Sequence, residues 1–382
     1  MKLPPPSSAL IRRILKIVLT QPTAPYHEHR VRDALAGLLR EAGIRPRIDR
    51  AGNLHARYRR GKGHPVALAA HMDHPGMEIL SVRDRQAQAR WNGQMPTFDM
   101  RGKRLAVWPA RSGARHGTAT VLKGDGRPVQ GKSKSASGKG RPKSDLLTLR
   151  VPRGTTKGDF GYADLTPLAF TKGRIISKAL DNVGGCCAIV ATMIHLAKTR
   201  TPADVRGLFT RAEETGFQGA FAAIKERTLP LNVPLIVLEC SKQLPGAEMG
   251  KGPVIRIGDA VRVFDADVAS ACEAAARSWQ ATHPRFKFQR RLMDGGACEA
   301  TAFGLAGYKC ICMAFPLGNY HNIGPRGVGA EFINEGDFVG GVELLTAFGA
   351  LGVDPKGVRS RLVKRLNDRY PAAAHAKLKK SR

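Results

Sequence analysis

Two histidines and five carboxylates stand where strand-forming segments of this sequence give way to turns or helices. His71 and Asp73 follow the apolar run 66–70, Glu213 and Glu214 follow 205–210, and Glu239 ends 235–238. His321 follows 309–315, and Asp181 opens a segment of helical spacing. Imidazole nitrogens and carboxylate oxygens bind divalent cations, and a set this rich suits a pair of ions, one carboxylate bridging them and one left free as a base. Taken alone, a histidine or a Glu-Glu pair is ordinarily a solvated surface feature. Only joint placement on one surface would make them a site.

The spacing of apolar residues says how they could meet. It predicts strands over 66–70, 205–210, 235–238 and 309–315, alternating with helices over 181–199, 216–226, 266–282 and 336–352. Such alternation implies an α/β sheet with helices on both faces, a three-layer αβα arrangement. In open α/β sheets, sites form outside the carboxyl ends of the strands, so the scattered residues converge on one rim. From about 79 to 170 the rhythm breaks into short strand-like pieces such as 104–108, 118–122 and 146–151. These are read as a small β-barrel-like domain inserted into the α/β domain. The expected organisation is therefore 1–78 and 171–353 as the two parts of the α/β domain, 79–170 as the insertion, and 354–382 as a basic tail.

Composition bounds the class. The 382 residues are 42% hydrophobic and 24% charged, as in globular proteins, and Gly 42 and Pro 24 are dispersed without a short period. No stretch reaches the roughly 20 apolar residues that a membrane-spanning helix needs. The run 9–19 is broken by Arg12, Arg13 and Lys16 and is read as an amphipathic helix, not a signal peptide. A cytoplasmic location with no membrane partner is expected. The seven cysteines form no CxxC pair, which favours buried thiols over disulfides or a cysteine-rich zinc site.

Charge is the outlying quantity: 62 Lys and Arg against 31 Asp and Glu give a formal +31. The excess is dense in 101–157, around the Lys-rich loop 131–145, and in the tail from 356, which is expected to be loosely ordered after Pro371. A non-specific acidic partner contacting the loop and tail is the expectation. Few aromatics interleave with these cations, so base stacking is not suggested. The strings MGKGP and SGKGRP lack the spacing of a phosphate-binding loop.

At the candidate residues the chain resembles a known family. AHMDHPG (70–76), KALDNVGG (178–185), RAEETGFQGA (211–220), IVLECS (236–241), MGKGPVIRIGD (249–259), DGGACEA (294–300) and NYHNIG (319–324) occur in the order and spacing of the dinuclear zinc aminopeptidases. The glutamyl and tetrahedral aminopeptidases are the most similar branch. The resemblance extends to residue 353 and leaves out the Lys-rich loop and the tail. It implies a phosphorylase/hydrolase-like αβα catalytic domain and hydrolysis of N-terminal residues from short peptides. Two divalent ions are implied as well, zinc first and cobalt or manganese as alternatives, together with a homo-oligomer between a dimer and a tetrahedral dodecamer.

Carried over residue by residue, the resemblance implies that Asp181 bridges the metals, His71 and Glu239 complete one site, and Glu214 and His321 the other. Glu213 is then the general base and Asp73 orients His71. Three positions depart from the family pattern. Glu239 stands where a shorter aspartate is usual, His74 and Pro75 replace a usual glutamate, and Val183 replaces a frequent arginine. His74 is read as lying beside the metals or at the surface, and Glu299 as a neighbour of the site or an ordinary acid at a helix start. Two rivals stand beside the aminopeptidase. One is an amide or N-acyl deacylase on the same dinuclear scaffold; the other is a nucleic-acid-associated protein that keeps a hydrolase core.

Overall fold

The structure, a computed structural model, describes residues 3–94, 99–124, 145–369 and 372–381. Nearly all of the Lys-rich loop 131–145 lies outside the described residues. Four parallel strands form the middle of a mixed sheet, in the order Ala203–Thr210, Pro65–His71, Leu235–Lys242 and Cys310–Gly318. Pro65–His71 and Leu235–Lys242 are almost wholly buried, and each opens on an apolar run (66–70 and 235–238), as strands covered on both faces do. Parallel pairing sets their carboxyl ends side by side, with Thr210 level with His71.

Antiparallel strands extend the sheet on both sides: Leu54–Arg60 and Arg47–Ile48 beyond one edge, and Glu331–Asn334, Arg174–Ser177 and Leu168–Thr171 beyond the other. Helices cover both faces. A Cβ on Gly207 would meet Met193 and Ile189 of the helix Val183–Lys198, whereas Thr210, three residues on and facing the other way, bonds Glu299 at the start of the helix Glu299–Leu305. The three-layer reading holds. Val183–Lys198 is apolar and buried on all sides, since it is pressed between the sheet and the helices Ser8–Val18, His29–Glu41 and Glu335–Leu351.

The strand Pro65–His71 ends where the insertion begins. Gly76–Arg83, Gln86–Asn92, Leu146–Arg150, Gly117–Lys123, Arg104–Trp108 and Phe160–Ala163 close into a six-stranded barrel. Alternate residues fill its interior, among them Met77, Ile79, Ala87, Ala89, Leu105, Val107, Leu147 and Leu149. The hairpin of Leu168–Thr171 and Arg174–Ser177 then rejoins the main sheet just before Asp181. The barrel is thus a detour of the chain that begins at His71 and returns at Asp181.

All seven cysteines are free and buried. The amphipathic helix expected at 9–19 is Ser8–Val18, capped by the Ser7 hydroxyl. The basic tail is helical over Pro355–Asn367 and, in the part after Pro371, over Ala372–Lys380. Pro355 at the start and the Asp354 side chain on the Gly357 N–H launch the first of these. Alanine and lysine are strong helix formers, so the second needs no buried face to form. Among the described residues no single helix is long and apolar enough to cross a membrane.

Candidate active site

Each candidate side chain except Asp181, which follows the flanking antiparallel strand Arg174–Ser177, leaves the carboxyl rim of a central strand or lies within a few residues of it. His71 is the last residue of Pro65–His71, Glu239 lies within Leu235–Lys242, and Glu213 and Glu214 occupy a tight turn three and four residues past Ala203–Thr210. That turn requires a left-handed backbone at Ala212, with φ of 48°. Glu28 holds it from below, accepting the Ala212 N–H at 2.9 Å on one oxygen and the Arg211 guanidinium at 2.7 Å on the other. His321 follows Cys310–Gly318 and is also left-handed, with φ of 55°, a rare conformation for a residue with a side chain.

The seven sequence-predicted residues meet. His71 Nε2 stands 3.7 Å from Asp181 Oδ1, 3.7 Å from Glu239 Oε1 and 3.8 Å from Glu213 Oε2. His321 Nε2 stands 3.3 Å from Asp181 Oδ2 and 3.2 Å from Glu214 Oε1. Asp181 therefore faces one histidine with each of its oxygens. The ligand atoms of His71, Asp181 and Glu239 lie within 4.8 Å of one another, as do those of Asp181, Glu214 and His321, and those of His71, Glu213 and Glu214.

Asp73 takes a somewhat different part from the one the resemblance implied. Its carboxylate accepts the backbone N–H groups of Glu213 and Glu214, at 3.0 and 3.1 Å, one on each oxygen. His71 Nδ1 lies 3.2 Å from the Asp73 backbone oxygen and 3.5 Å from its carboxylate. One residue thus braces both His71 and the glutamate turn.

Electrostatics set the demand at this centre. Burial pushes the Asp181 and Glu213 carboxyls well above their ordinary range; Glu239 adds to the rise at Asp181 and Glu214 to that at Glu213. Burial works against a charged His71, yet Glu213, Asp73 and Glu239 outweigh it and hold its pKa well above the usual value. Buried carboxylates this close do not all ionise without compensating positive charge. Asp181 Oδ1 and Glu214 Oε1 are buried without a hydrogen-bond donor. Acceptors buried without donors, carboxylates in excess of histidines and convergent ligand atoms are what a pair of divalent cations would satisfy.

Of the other residues at the site, Glu331 and Gln94 carried no clear signal in the sequence. Glu331 accepts the N–H groups of Leu180 and Asp181 on one oxygen, at 2.7 and 3.0 Å, and that of His321 on the other, at 2.9 Å. Burial raises its pKa to about 8. Gln94, just after a barrel strand, reaches His321 Nδ1 at 3.1 Å. His74 is fully engaged, with Nδ1 2.5 Å from the Asp181 carbonyl oxygen and Nε2 3.1 Å from Asn322 Oδ1, and burial lowers its pKa to about 4. It lies beside the centre with both ring nitrogens occupied. Glu299 is a buried neighbour on Thr210, its pKa pushed up to about 7 by burial. Cys240 is a buried thiol, raised by burial and with Sγ 3.2 Å from the Leu180 carbonyl oxygen.

Fold and rim together define an α/β protein with a barrel insertion and a buried histidine–carboxylate centre at the ends of its parallel strands. Comparison with known proteins narrows this class. Residues 151–325 match the family model of the M42 glutamyl aminopeptidases. A curated relative from Acetivibrio thermocellus, named "Putative aminopeptidase", is 25% identical over 285 residues, covering 73% of this chain and 83% of its own. An aminopeptidase from the archaeon Desulfurococcus kamchatkensis has the same fold, with a TM-score of 0.71 at 20% identity over 92% of this chain and 97% of its own. The TET1 peptidase of Pyrococcus horikoshii, which can assemble into a tetrahedron or a large octahedral shell, gives 0.71 at 19% identity over 89% and 99%. The resemblance to the glutamyl and tetrahedral aminopeptidases therefore holds, in family model and in fold.

Proposed function

We propose that this chain is a metal-dependent aminopeptidase that removes N-terminal residues from short peptides. The observation that carries the reading is the placement of Asp181, which offers one oxygen toward His71 and the other toward His321. His71, Asp181 and Glu239 would hold one divalent ion, and Asp181, Glu214 and His321 a second. Zinc is the first choice, and cobalt or manganese suits the same donors. Ions held there supply Lewis acidity toward a scissile carbonyl and acidify a water molecule.

The remaining work falls to the chain's own groups. Glu213 receives the proton of the attacking water at its carboxylate and returns it to the leaving amine, a task for which its burial-raised pKa suits it. Asp73 fixes the Glu213–Glu214 backbone, so that one side chain stays free while its neighbour is directed toward His321. Gln94 and Glu331 hold the His321 ring and backbone. The carboxylate-rich rim suits a substrate with a free α-amine.

Glu239, one methylene longer than the aspartate usual in the family, still lies as close to His71 as Asp181 does. We read the chain as a cytoplasmic homo-oligomer; the tetrahedral assembly of its structural relative supports that reading. The test is hydrolysis of matched unblocked and N-acetylated peptides, with and without chelator. Chelator-sensitive release from unblocked peptides alone is expected. Cleavage of the N-acetylated set would favour a deacylase, and turnover of neither would overturn the assignment.

A further inference from the structure

A second cationic feature lies on the sheet itself, away from the rim. At one edge, Arg47–Ile48, Leu54–Arg60 and Ala203–Thr210 pair antiparallel, and their register sets Arg206 opposite Arg57 and Arg47 opposite His55. Directly opposed residues share a face, so these four project together on the side away from the helix Val183–Lys198. With Arg45 and Thr228 they line a cavity of about 520 Å³. Arg206 stands four residues before Thr210, which separates this cavity from the histidine–carboxylate centre.

The polar side chains there are incompletely matched, and His55, whose pKa burial lowers, is not among the cations. Asp204 is committed to Arg57, accepting two guanidinium N–H groups at 2.7 and 2.6 Å. Arg206 Nε is buried without a hydrogen bond, and the nearest carboxylate oxygen, on Asp204, is 3.9 Å away. His55 Nε2 is likewise without one, 3.8 Å from an Asp49 carboxylate that already accepts two N–H groups of Asn53. Like charges set directly opposite across two strands destabilise the pairing, as does a buried donor left unsatisfied. An anion lying between the arginines removes both costs.

We propose that this cavity binds a phosphorylated small molecule carrying at least two phosphate charges, held by Arg206, Arg47 and Arg45. The planar guanidinium fork matches phosphate oxygens two at a time. The volume falls within the range of about 300–1,000 Å³ typical of small-molecule sites. Apart from His55 no ring lines it, so the phosphates and not a stacked base carry the recognition. The formal charge of +31 would draw such anions in.

The test is calorimetric titration of the full chain with pyrophosphate, alongside Arg206→Gln, Arg47→Gln and a Lys377→Gln/Lys379→Gln tail control. Binding that weakens at least tenfold in each arginine variant, but not in the tail control, is the expected result. Because Arg47 sits exposed on a two-residue edge strand, its variant keeps the test valid even if Arg206→Gln fails to fold. Absence of pyrophosphate binding, or binding that the arginine variants leave unchanged, would overturn the proposal. So would arginine-dependent binding of an oligonucleotide without binding of pyrophosphate. None of these readouts depends on peptide hydrolysis.

Discussion

Glu331 receives the backbone N–H of Asp181 at 3.0 Å, although the two residues are 150 positions apart in the chain. Its second oxygen takes the N–H of His321, whose backbone is held in a left-handed conformation. A single carboxylate thereby fixes two of the three donors in one candidate metal cluster. Glu331→Gln puts an amide N–H against a backbone N–H on one side. Residues that orient metal ligands typically account for about 10–100-fold in affinity. The expected outcome is a drop of that order in affinity for the second equivalent of metal, read by competition with a chromophoric chelator, in a chain that still folds.

Glu213→Gln separates binding from proton transfer. The amide keeps the size and the backbone bond to Asp73 but cannot take up a proton at this position. General bases of this kind typically contribute about 10²–10⁴-fold. Turnover should fall by at least that range while metal content stays at the wild-type level. Retained activity would remove Glu213 from the role of base.

Lys178 makes stability depend on pH. Its ammonium is buried against the Gln21 carbonyl oxygen at 2.6 Å and over the Tyr162 ring at 4.8 Å, and burial lowers its pKa from 10.5 to about 7. Between those values the unfolded chain binds a proton that the folded chain has released. Folding is therefore penalised in full below about pH 7, and the penalty fades as pH rises toward 10.5. Measured by urea unfolding, the wild type should gain on Lys178→Met as pH rises from 7 to 9, by at most about 1.4 kcal/mol per pH unit. A constant difference would show that Lys178 is not desolvated.

Gly185 tests the packing beneath the site. An added Cβ would clash with Asn182 Oδ1 and meet Leu238 Cβ at 3.2 Å, between the helix that follows Asp181 and the strand that carries Glu239. Asn182 cannot yield freely, because its side-chain amide donates to the Leu238 carbonyl oxygen at 2.7 Å. Gly185→Ala should destabilise the fold by about 1–3 kcal/mol, visible as a lowered midpoint in denaturant.

What the sequence made legible and what it hid divide along physical lines. The strands carrying His71 and Glu239 are fully buried, so they read as apolar runs, and the placement of sites at strand ends followed from sheet topology. The barrel could be sensed only as a break in rhythm. Its contribution of Gln94 to His321 could not, because a single amide after a strand has no local signature. Glu331 escaped notice for a related reason: it acts on backbone groups of distant residues, and such contacts leave no pattern of spacing. The role of Asp73 was half visible, since the His-x-Asp spacing suggested a brace for His71 while the N–H groups of Glu213 and Glu214 became partners only through the fold. The helix Ala372–Lys380 in the tail was not read from the sequence, because it buries nothing and forms on the propensity of Ala and Lys.

The central claim is that one residue, Asp181, serves two metal ions. Its most direct test is metal stoichiometry by elemental analysis on wild type and Asp181→Asn, with peptide hydrolysis followed on the same samples. Two equivalents per wild-type chain are expected, with loss of both metal and activity in the variant, whereas His321→Ala should lose chiefly one. If Asp181→Asn kept two equivalents and its turnover, the shared-ligand account would be contradicted.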